Sequence, residues 1–404
     1  MQRALPCNAI INSIHWKRCS DVQRPQPTSN PPYRTGHTMN LLFVTAHPHT
    51  PQIAGGSQSS THELSLEIIK RGHEVSVLSG LYHKDRLGYL VRAALKLTPM
   101  KYTRDKLPGY PVYRKWFVWE EGDAVLKQAK PDVLIVTAGK PFKTAKHFAQ
   151  FGIPLVVYVR DVEFHKYEAS PADLPASTIY VANSQFTADA YKEKYGIDAV
   201  PIPPMFMAER YICDHAPEVV SFINPHPKKG RDIAFQIAER CPDVPFEFVE
   251  GWPLPEDVSK QNVEWARKCG NVTLKPRTND MRKVYSRTKI LLIPSQWQEA
   301  WGRIASEAHF SGIPCVATKI GGLSESVGEG GILISPDAPI DDWVTAVRKL
   351  WDDQGFYAAM QQQTRDYSKR DILNKDHQID TLLDACNRAK AAFTAEPEAA
   401  ATAN

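Results

Sequence analysis

The sequence lacks long apolar runs and a large net charge, which are features that mark several classes of protein. Its 404 residues carry a net charge of +4, and so mild a balance argues against a nucleic-acid partner. The longest apolar stretches, such as residues 154–159, fall far short of the roughly 18 to 20 residues that a membrane-spanning helix requires. The composition therefore predicts a soluble, cytoplasmic protein.

Cysteine is scarce and never clustered. The seven cysteines lie singly along the chain, without a C-x-x-C pair or a histidine at zinc-ligand spacing, so we interpret them as reduced thiols of a cytosolic protein. An Asp-x-Asp motif is also absent, and we expect neither a metal ion nor an organic cofactor. No G-x-G-x-x-G motif follows residues 41–44 or 219–223, which argues against an NAD-dependent dehydrogenase.

The two ends of the chain differ in pattern from the rest. Prolines crowd the first 38 residues, which contain no periodic apolar pattern, so we expect 1–38 to be a disordered extension. Its basic residues outnumber its single acid, which leaves a transit peptide as an alternative. Residues 396–404 are expected to form a disordered tail.

Between these ends, short apolar runs alternate with helical patterns. Residues 40–45 form a largely apolar run, Gly55-Gly56 breaks the pattern, residues 59–71 have helical period, and residues 74–78 are largely apolar again. This succession predicts a strand, a helix and a second strand that lies parallel to the first. Continued alternation of this kind predicts a parallel sheet covered on both faces.

The same alternation restarts at residue 219, after the proline-rich segment 201–204. Proline fixes φ and removes a donor, so this segment is the natural linker. The expected fold is α/β with two Rossmann-like, doubly wound domains and a cleft between them. The expected bounds are 39–204 for the first domain, 205–372 for the second, and 373–395 for a terminal helix that returns to the first.

Residues 294–308 are the most informative segment, because a predicted strand ends there and a predicted helix begins. Glu299 lies in the loop, and Glu307 follows eight residues later, about one turn into the helix. The start of a helix presents unpaired N–H groups and a positive dipole end, which suits a diphosphate. Gly302 has no Cβ and lets the backbone approach a ligand closely.

Glu299, Trp301, Gly302 and Glu307 resemble the signature of the retaining GT-B glycosyltransferases of family 4, also called glycosyl transferases group 1. That signature is Glu, seven residues and Glu, usually with an aromatic residue and a glycine after the first Glu. The resemblance implies that Glu307 accepts hydrogen bonds from ribose hydroxyls. It implies that Glu299 and the N–H groups after it hold the transferred sugar and the diphosphate. The expected donor site includes the residues around the helix start, namely Trp301, Gly302, Arg303 and Ile304.

Residues 224–230 carry a second match, in the first loop of the second domain. The family places an arginine and a lysine five residues apart here, both on the diphosphate. Lys229 fills the lysine position, whereas Asn224 stands at the arginine position, so one cation is missing. The basic residues that could replace it are Lys228, Arg231 and Arg277, although Lys228 is equally well explained as part of a solvated turn.

The first domain carries weaker matches. Gly55-Gly56 resembles the family's loop that meets the diphosphate or the acceptor. Asp161 follows residues 155–159, where the family has His-Asp close to the reacting sugar, but Arg160 stands in place of the histidine. Asp161 or His165 could supply a polar group there, and His165 is more readily explained as a surface residue. Ser184 is interpreted as the N-cap of a helix.

The resemblance implies a hexose transfer from a nucleotide diphosphate sugar, UDP before GDP, to a hydroxyl acceptor. Lys229, the helix start and Gly55-Gly56 would stabilise the leaving diphosphate, and Glu299 the positive sugar. Retention without an evident nucleophile implies front-side attack by the acceptor. The alternative is a non-catalytic GT-B scaffold that binds a nucleotide sugar or a partner enzyme, because Asn224 and Arg160 depart from the family's pattern.

Residues 84–115 are strongly basic, with a net charge of +7. An apolar helical stripe within them would consist of Leu87, Leu90, Val91, Ala94 and Leu95. This combination suits an interfacial helix on anionic lipid. We therefore expect peripheral contact with the inner face of a membrane and a lipid-linked or envelope acceptor; a solvated insertion in the acceptor domain is the alternative.

Overall fold

The computed structural model describes residues 38–53, 55–82, 84–120 and 122–402. The predicted extension, apart from its last residue, lies outside the described residues. The described chain forms two doubly wound sheets that follow one another in sequence. The predicted α/β class with two Rossmann-like domains is thereby confirmed.

The first sheet has eight strands in the order β3-β4-β2-β1-β5-β6-β7-β8. Every neighbouring pair is parallel except β3 and β4, which are antiparallel. The strands are β1 (Asn40–Pro48), β2 (Glu74–Gly80), β3 (Thr103–Asp105), β4 (Val112–Arg114), β5 (Val133–Thr137), β6 (Leu155–Val159), β7 (Ile179–Ala182) and β8 (Ala199–Pro201). The helices are α1 (Gly56–Lys70), α2 (Arg86–Leu97), α3 (Asp123–Ala129), α4 (Pro141–Ala149) and α5 (Gln185–Tyr195).

The strands at the centre of this sheet are continuous apolar runs because both of their faces are buried. Residues 41–44 of β1 are fully buried between β2 and β5. Successive side chains point to opposite faces, so Leu41 and Phe43 join one core cluster while Leu42 and Val44 join another. A parallel strand covered on both faces needs apolar residues at every position, without polar alternation.

The second sheet has six parallel strands in the order β11-β10-β9-β12-β13-β14. The strands are β9 (Val219–Ile223), β10 (Phe246–Val249), β11 (Val272–Lys275), β12 (Thr288–Ile293), β13 (Cys315–Thr318) and β14 (Gly331–Ile334). The helices are α6 (Arg231–Arg240), α7 (Glu256–Cys269), α8 (Arg282–Tyr285), α9 (Arg303–His309), α10 (Leu323–Val327), α11 (Ile340–Asp352) and α12 (Gln354–Tyr367).

The last helix, α13 (Lys375–Thr402), packs against the first sheet. Ile379, Leu382 and Cys386 are buried in the same core cluster as Leu41 of β1. The helical backbone continues to Thr402, beyond the expected end at 395, and the alanine-rich sequence there favours helix. Although α13 has 28 residues, none of the helices in the described parts of the chain is both long and apolar enough to cross a membrane.

Residues 84–115 do not form one separate insertion. The segment begins with α2 on the surface and ends in the β3–β4 hairpin, where β4 pairs with β2 and extends the first sheet. The sequence pattern does not reveal this hairpin, because a three-residue strand is too short to show a period of two.

Candidate active site

A cavity of about 430 Å³ lies between the carboxyl ends of the strands of both sheets. Parallel sheets present their loops at this edge, where doubly wound folds bind ligands. Most of the residues selected from the sequence line the cavity: Gly55, Gly56, Asp161, Asn224, Lys229, Glu299, Trp301, Gly302, Arg303, Ile304 and Glu307.

Lys228 and Arg277, also selected from the sequence, do not line this cavity. Residues 227–229 form a 3₁₀ turn, in which neighbouring side chains diverge by about 120°. Lys229 therefore faces the cavity, while the Lys228 Nζ lies 4.4 Å from the centroid of the Trp297 ring. Arg277 is exposed just beyond the edge strand β11.

The loop between β12 and α9 is shaped by glycines. Gly302 has φ +84°, and a Cβ there would lie 2.4 Å from Leu323 Cδ2. The Gly322 N–H donates to the Glu299 carbonyl oxygen at 2.7 Å, and a Cβ on Gly322 would lie 2.3 Å from the Ala300 carbonyl oxygen. Backbone packing of this closeness requires glycine, and it fixes the loop that carries Glu299.

Glu299 and Lys229 are paired within the cavity. The Lys229 ammonium donates to Glu299 Oε1, which also accepts from the Ser295 hydroxyl at 3.0 Å. The side chains of Lys229 and Glu299 are 22% and 16% exposed, so both can be reached by a ligand. A bound phosphate would compete with Glu299 for the Lys229 ammonium.

Glu307 lies deeper and is held by two donors. Arg303 Nε donates to its Oε1 at 3.1 Å, and the Tyr285 hydroxyl donates to its Oε2 at 3.0 Å. Burial, together with the nearby Glu307 charge, raises the pKa of Tyr285 well above its ordinary value. Tyr285 therefore keeps its proton, and the Glu307 carboxylate is fixed in one orientation.

Arg303 connects this carboxylate to the first domain. Its Nη2 donates to Tyr211 at 2.8 Å and to Glu63 Oε2 at 3.3 Å, and its Nη1 donates to the Met205 carbonyl oxygen at 2.7 Å. All three guanidinium nitrogens of Arg303 thus have protein partners. Arg303 was selected as a donor ligand, but the structure gives it the geometry of a residue that joins α9 to α1.

Glu63 is the residue of α1 that completes this connection, and no sequence pattern pointed to it. It is fully buried and also accepts from Arg210 Nη1 at 3.0 Å. Burial raises the pKa of Glu63, against the opposing effect of Arg303 and Arg210. Glu63 and Arg303 lie 240 positions apart, so no local pattern could pair them.

A second contact between the domains lies at the start of α5. Glu325 Oε2 accepts from the Gln185 N–H at 2.9 Å, and its Oε1 accepts from the Phe186 N–H. The Ser184 hydroxyl accepts from the Thr187 N–H at 2.9 Å, which confirms Ser184 as the N-cap. A carboxylate of the second domain therefore satisfies the first N–H groups of a helix in the first domain.

The first-domain wall of the cavity contains Arg160 and Asp161. Asp161 Oδ1 accepts from the Tyr167 hydroxyl at 2.6 Å and from the Glu163 N–H at 3.1 Å. Arg160 Nη1 donates to the Ser57 carbonyl oxygen at 3.0 Å. His165 is exposed and does not line the cavity, in agreement with its interpretation as a surface residue.

Curated relatives match the chain over part of its length. A D-inositol 3-phosphate glycosyltransferase of Corynebacterium kroppenstedtii is 39% identical over 100 residues, 24% of this chain and 22% of that protein. An enzyme of the same name from Rhodococcus erythropolis is 28% identical over 239 residues, 52% of this chain and 53% of that protein. The chain thus spans about half or less of the length of these relatives.

Solved structures match over most of the chain. The crystal structure of Anabaena Alr3699/HepE in complex with UDP and glucose has a TM-score of 0.66 and 18% identity. The match covers 86% of this chain and 99% of the Anabaena chain. At this identity the likeness shows a shared fold.

Two family models match the two domains in turn. Residues 54–205 match Glycosyltransferase Family 4, and residues 251–367 match Glycosyl transferases group 1. Together the two matches cover more than half of the chain, and the second contains the segment with Glu299 and Glu307. The resemblance inferred from the sequence is confirmed: the chain belongs to the group 1 glycosyltransferases and has their GT-B fold.

Proposed function

We propose that this protein transfers a hexose from a nucleoside diphosphate sugar to a hydroxyl acceptor, with retention of anomeric configuration and without a metal ion or cofactor. The cavity between the two sheets, in which Glu299, Lys229 and the start of α9 converge, supports this proposal. A concave space lined by a few converging polar groups is typical of a small-molecule site.

UDP is the first donor nucleotide to test and GDP the second. UDP and glucose are bound in the Anabaena structure that shares this fold, which supports UDP. The curated relatives are named for transfer to D-inositol 3-phosphate. That compound therefore joins lipid-linked and envelope glycans among the candidate acceptors.

The reaction requires charge stabilisation at two places. As the bond between the anomeric carbon and the diphosphate oxygen breaks, negative charge develops on the diphosphate and positive charge on the sugar. Lys229 and the N–H groups of Gly55 and Gly56 would meet the diphosphate, while Glu299 would face the sugar. The acceptor oxygen then bonds to the anomeric carbon on the same face, and its proton passes to the departing diphosphate.

The direct test is the release of nucleoside diphosphate from UDP-, GDP- and ADP-sugars by the full chain in EDTA, with candidate acceptors present. Release that persists in EDTA and is lost in both Glu299→Ala and Glu307→Ala supports the proposal. Tight donor binding without release, with every acceptor, would contradict it and favour the scaffold alternative.

We also propose that α2 docks on an anionic lipid surface. Val91 is buried against the domain, while Tyr89, Leu90 and Leu97 are 61%, 48% and 83% exposed. One face of the helix thus packs against the domain, and another face exposes apolar side chains. The sequence pattern predicted a single apolar stripe instead. The exposed basic residues beside them are Arg86, Arg92 and Lys96, as an interfacial helix requires.

Two of the basic residues counted in this segment belong to the interior and not to the surface. Arg114 is fully buried, and its Nε donates to Asp105 Oδ2 at 2.7 Å. Its Nη2 also donates to the Thr50 carbonyl oxygen at 2.9 Å. Lys115 is also buried and donates to the Glu120 carbonyl oxygen. The charge available to a lipid surface is therefore smaller than the net +7 of the sequence.

Co-sedimentation with phosphatidylglycerol-containing vesicles tests this docking. The wild type is expected to bind in low salt and to be released by high salt, and replacing both Leu90 and Leu97 by serine should reduce binding at least about tenfold. Val263→Ser provides the matched control, because Val263 is 59% exposed on α7 of the second domain. Equal binding by the double variant and the control would contradict the docking.

A further inference from the structure

Two arginines line the cavity, and their surroundings differ. Arg303 has protein partners for all three guanidinium nitrogens. Arg160 has one partner, the Ser57 carbonyl oxygen, while its Nε and Nη2 are buried without a hydrogen-bond partner. Arg160 therefore has two buried donors available at the wall of a ligand-sized cavity.

The charge of Arg160 is not balanced by the protein around it. Its guanidinium carbon lies 4.1 Å from the centroid of the Tyr158 ring, and Arg303 is a nearby cation. Asp161, the adjacent carboxylate, is held by Tyr167 and the Glu163 N–H. Among the residues that the structure describes, Arg160 forms no ion pair. A buried cation without a counter-charge is costly, and a bound anion would offset that cost.

The opposite wall carries a second unpartnered group. Asn224 is 3% exposed and lines the same cavity, and both its Nδ2 and its Oδ1 lack a hydrogen-bond partner. Buried amides are normally satisfied. Unsatisfied polar side chains from both domains therefore line one cavity, which indicates that a polar ligand binds there.

The basic residues that could replace the missing arginine, Lys228, Arg231 and Arg277, are directed elsewhere. Arg231 Nε donates to Asp232 at 2.7 Å, and its Nη1 donates to Gln261 at 2.9 Å. Lys228 and Arg277 lie outside the lining of the cavity. Arg160 is thus a cation of the cavity lining with unpartnered donors, and it can supply the charge that the arginine missing at position 224 would have supplied.

We propose that Arg160 binds a phosphate group of a substrate in this cleft, through Nε and Nη2. These two nitrogens form one edge of the planar guanidinium and can donate in parallel to two oxygens of one phosphate. The Tyr158 ring fixes the plane of the guanidinium, and Asn224 faces the same ligand. The inference rests on the proposed function, and the phosphate belongs either to the donor diphosphate or to an anionic acceptor.

Isothermal titration calorimetry with UDP and with uridine tests this role without requiring turnover. Arg160→Gln should weaken UDP binding at least about tenfold and leave uridine binding within about twofold of the wild type. The UDP affinity of Arg160→Lys should lie between those of the wild type and Arg160→Gln, because lysine keeps the charge but not the paired donors. Arg348→Gln is the control, since Arg348 pairs with Asp243 on the surface. The midpoint temperature of thermal unfolding without ligand should not be lower in Arg160→Gln than in the wild type. If the role of Arg160 were purely structural, this temperature would fall.

A second titration identifies the source of the phosphate. If UDP affinity is unchanged in Arg160→Gln, inorganic phosphate is titrated into the UDP-saturated proteins. Binding by the wild type that is lost in the variant would assign Arg160 to an acceptor phosphate. Unchanged UDP and phosphate binding in Arg160→Gln would overturn the inference and leave the proposed function standing. A wild type that binds no nucleoside diphosphate would overturn both.

Discussion

Single residues determine the conformation of the loop that carries Glu299. Gly302 adopts a φ of +84° next to Leu323, a conformation and a spacing that a side chain does not tolerate. The backbone there turns into α9 and places Arg303 beside Glu307. The loop geometry thus depends on a residue that has no side chain of its own.

Gly302→Ala is therefore expected to lower the free energy of unfolding by about 2 kcal/mol or more, from backbone strain and overpacking. Nucleotide binding should weaken with it. Urea denaturation measures the first effect and titration with UDP the second. Gly355→Ala is the control: Gly355 lies at the start of α12 with no atom closer than 3.4 Å to an added Cβ, and this change should be neutral or stabilising. Equal effects of the two changes would contradict the role given to Gly302.

Buried histidines determine how stability depends on pH. Burial lowers the pKa of His49 to about 3, with a further contribution from Arg114, and burial lowers the pKa of His309 to about 3. Both remain neutral in the fold but bind protons when unfolded, below a pKa of about 6.5. The unfolded state therefore binds more protons between pH 6.5 and 3, and the stabilising effect of the neutral forms is lost as pH falls through this window.

When the pH is lowered from 7.5 to 5, protonation of each of these histidines in the unfolded state should reduce the free energy of unfolding by roughly 2 kcal/mol. His49→Gln should make this dependence shallower, because glutamine can accept from the Tyr110 hydroxyl, which lies 2.8 Å from His49 Nε2, but does not titrate. Urea denaturation at the two pH values measures the difference. An identical pH dependence in the variant would show that His49 does not contribute.

The residues of the second-domain motif could be selected from sequence, because they lie within a few positions of each other. The orientation of their side chains could not be predicted from sequence. Lys228 and Lys229 are adjacent, yet only Lys229 lines the cavity. Arg160 was noted from sequence only as a departure from the family's histidine. The free donors that give it significance depend on Tyr158, Ser57 and the burial of the site, which no local pattern records.

At the scale of elements, α1 and α9 are joined by a charged contact that crosses the cleft. Glu63 of α1 is fully buried against Arg303 of α9, and Arg210 approaches it from the segment between the two domains. A buried carboxylate between two guanidinium groups is stable only while it is paired. The contact couples the helix after Gly55-Gly56 to the helix that carries Glu307.

Glu63→Ala should lower the free energy of unfolding by roughly 3 to 5 kcal/mol, because it leaves the buried Arg303 charge without one of its partners. Arg210→Ala should change it by no more than about 1 kcal/mol, since the Arg210 side chain is 50% exposed. Urea denaturation of the two variants makes the comparison. A larger loss in Arg210→Ala than in Glu63→Ala would contradict the assignment of Glu63 as the central residue of this contact.

The elements that sequence predicted well are those with strong periodic patterns. The strands predicted at 40–45 and 74–78 lie within the observed β1 and β2, and the helix predicted at 59–71 overlaps α1. The elements for which no prediction was made include β3, β4, α4, α7 and α10. The two strands have three residues each. The helices α4 and α7 belong to stretches to which no element was assigned.

At the scale of the whole molecule, two sheets that share no strand form one cleft. Residue contacts cross it at Glu63 with Arg303 and at Glu325 with the start of α5. The terminal helix α13 completes the core of the first sheet after the chain has built the second. Alternation of apolar runs was enough to expect two such domains, but the contacts between them depend on residues far apart in the chain.

We propose that Glu299 acts in the transfer step and not in donor binding alone. The most direct measurement compares Glu299→Gln with the wild type in UDP affinity and in the rate of nucleoside diphosphate release from the preferred sugar donor. Glu256→Gln is the control, because Glu256 lies on α7 with its side chain 84% exposed. We predict UDP affinity within about threefold and release slowed at least about a hundredfold, as expected for loss of transition-state stabilisation alone. Release at the wild-type rate by Glu299→Gln would show that Glu299 does not act in the transfer step.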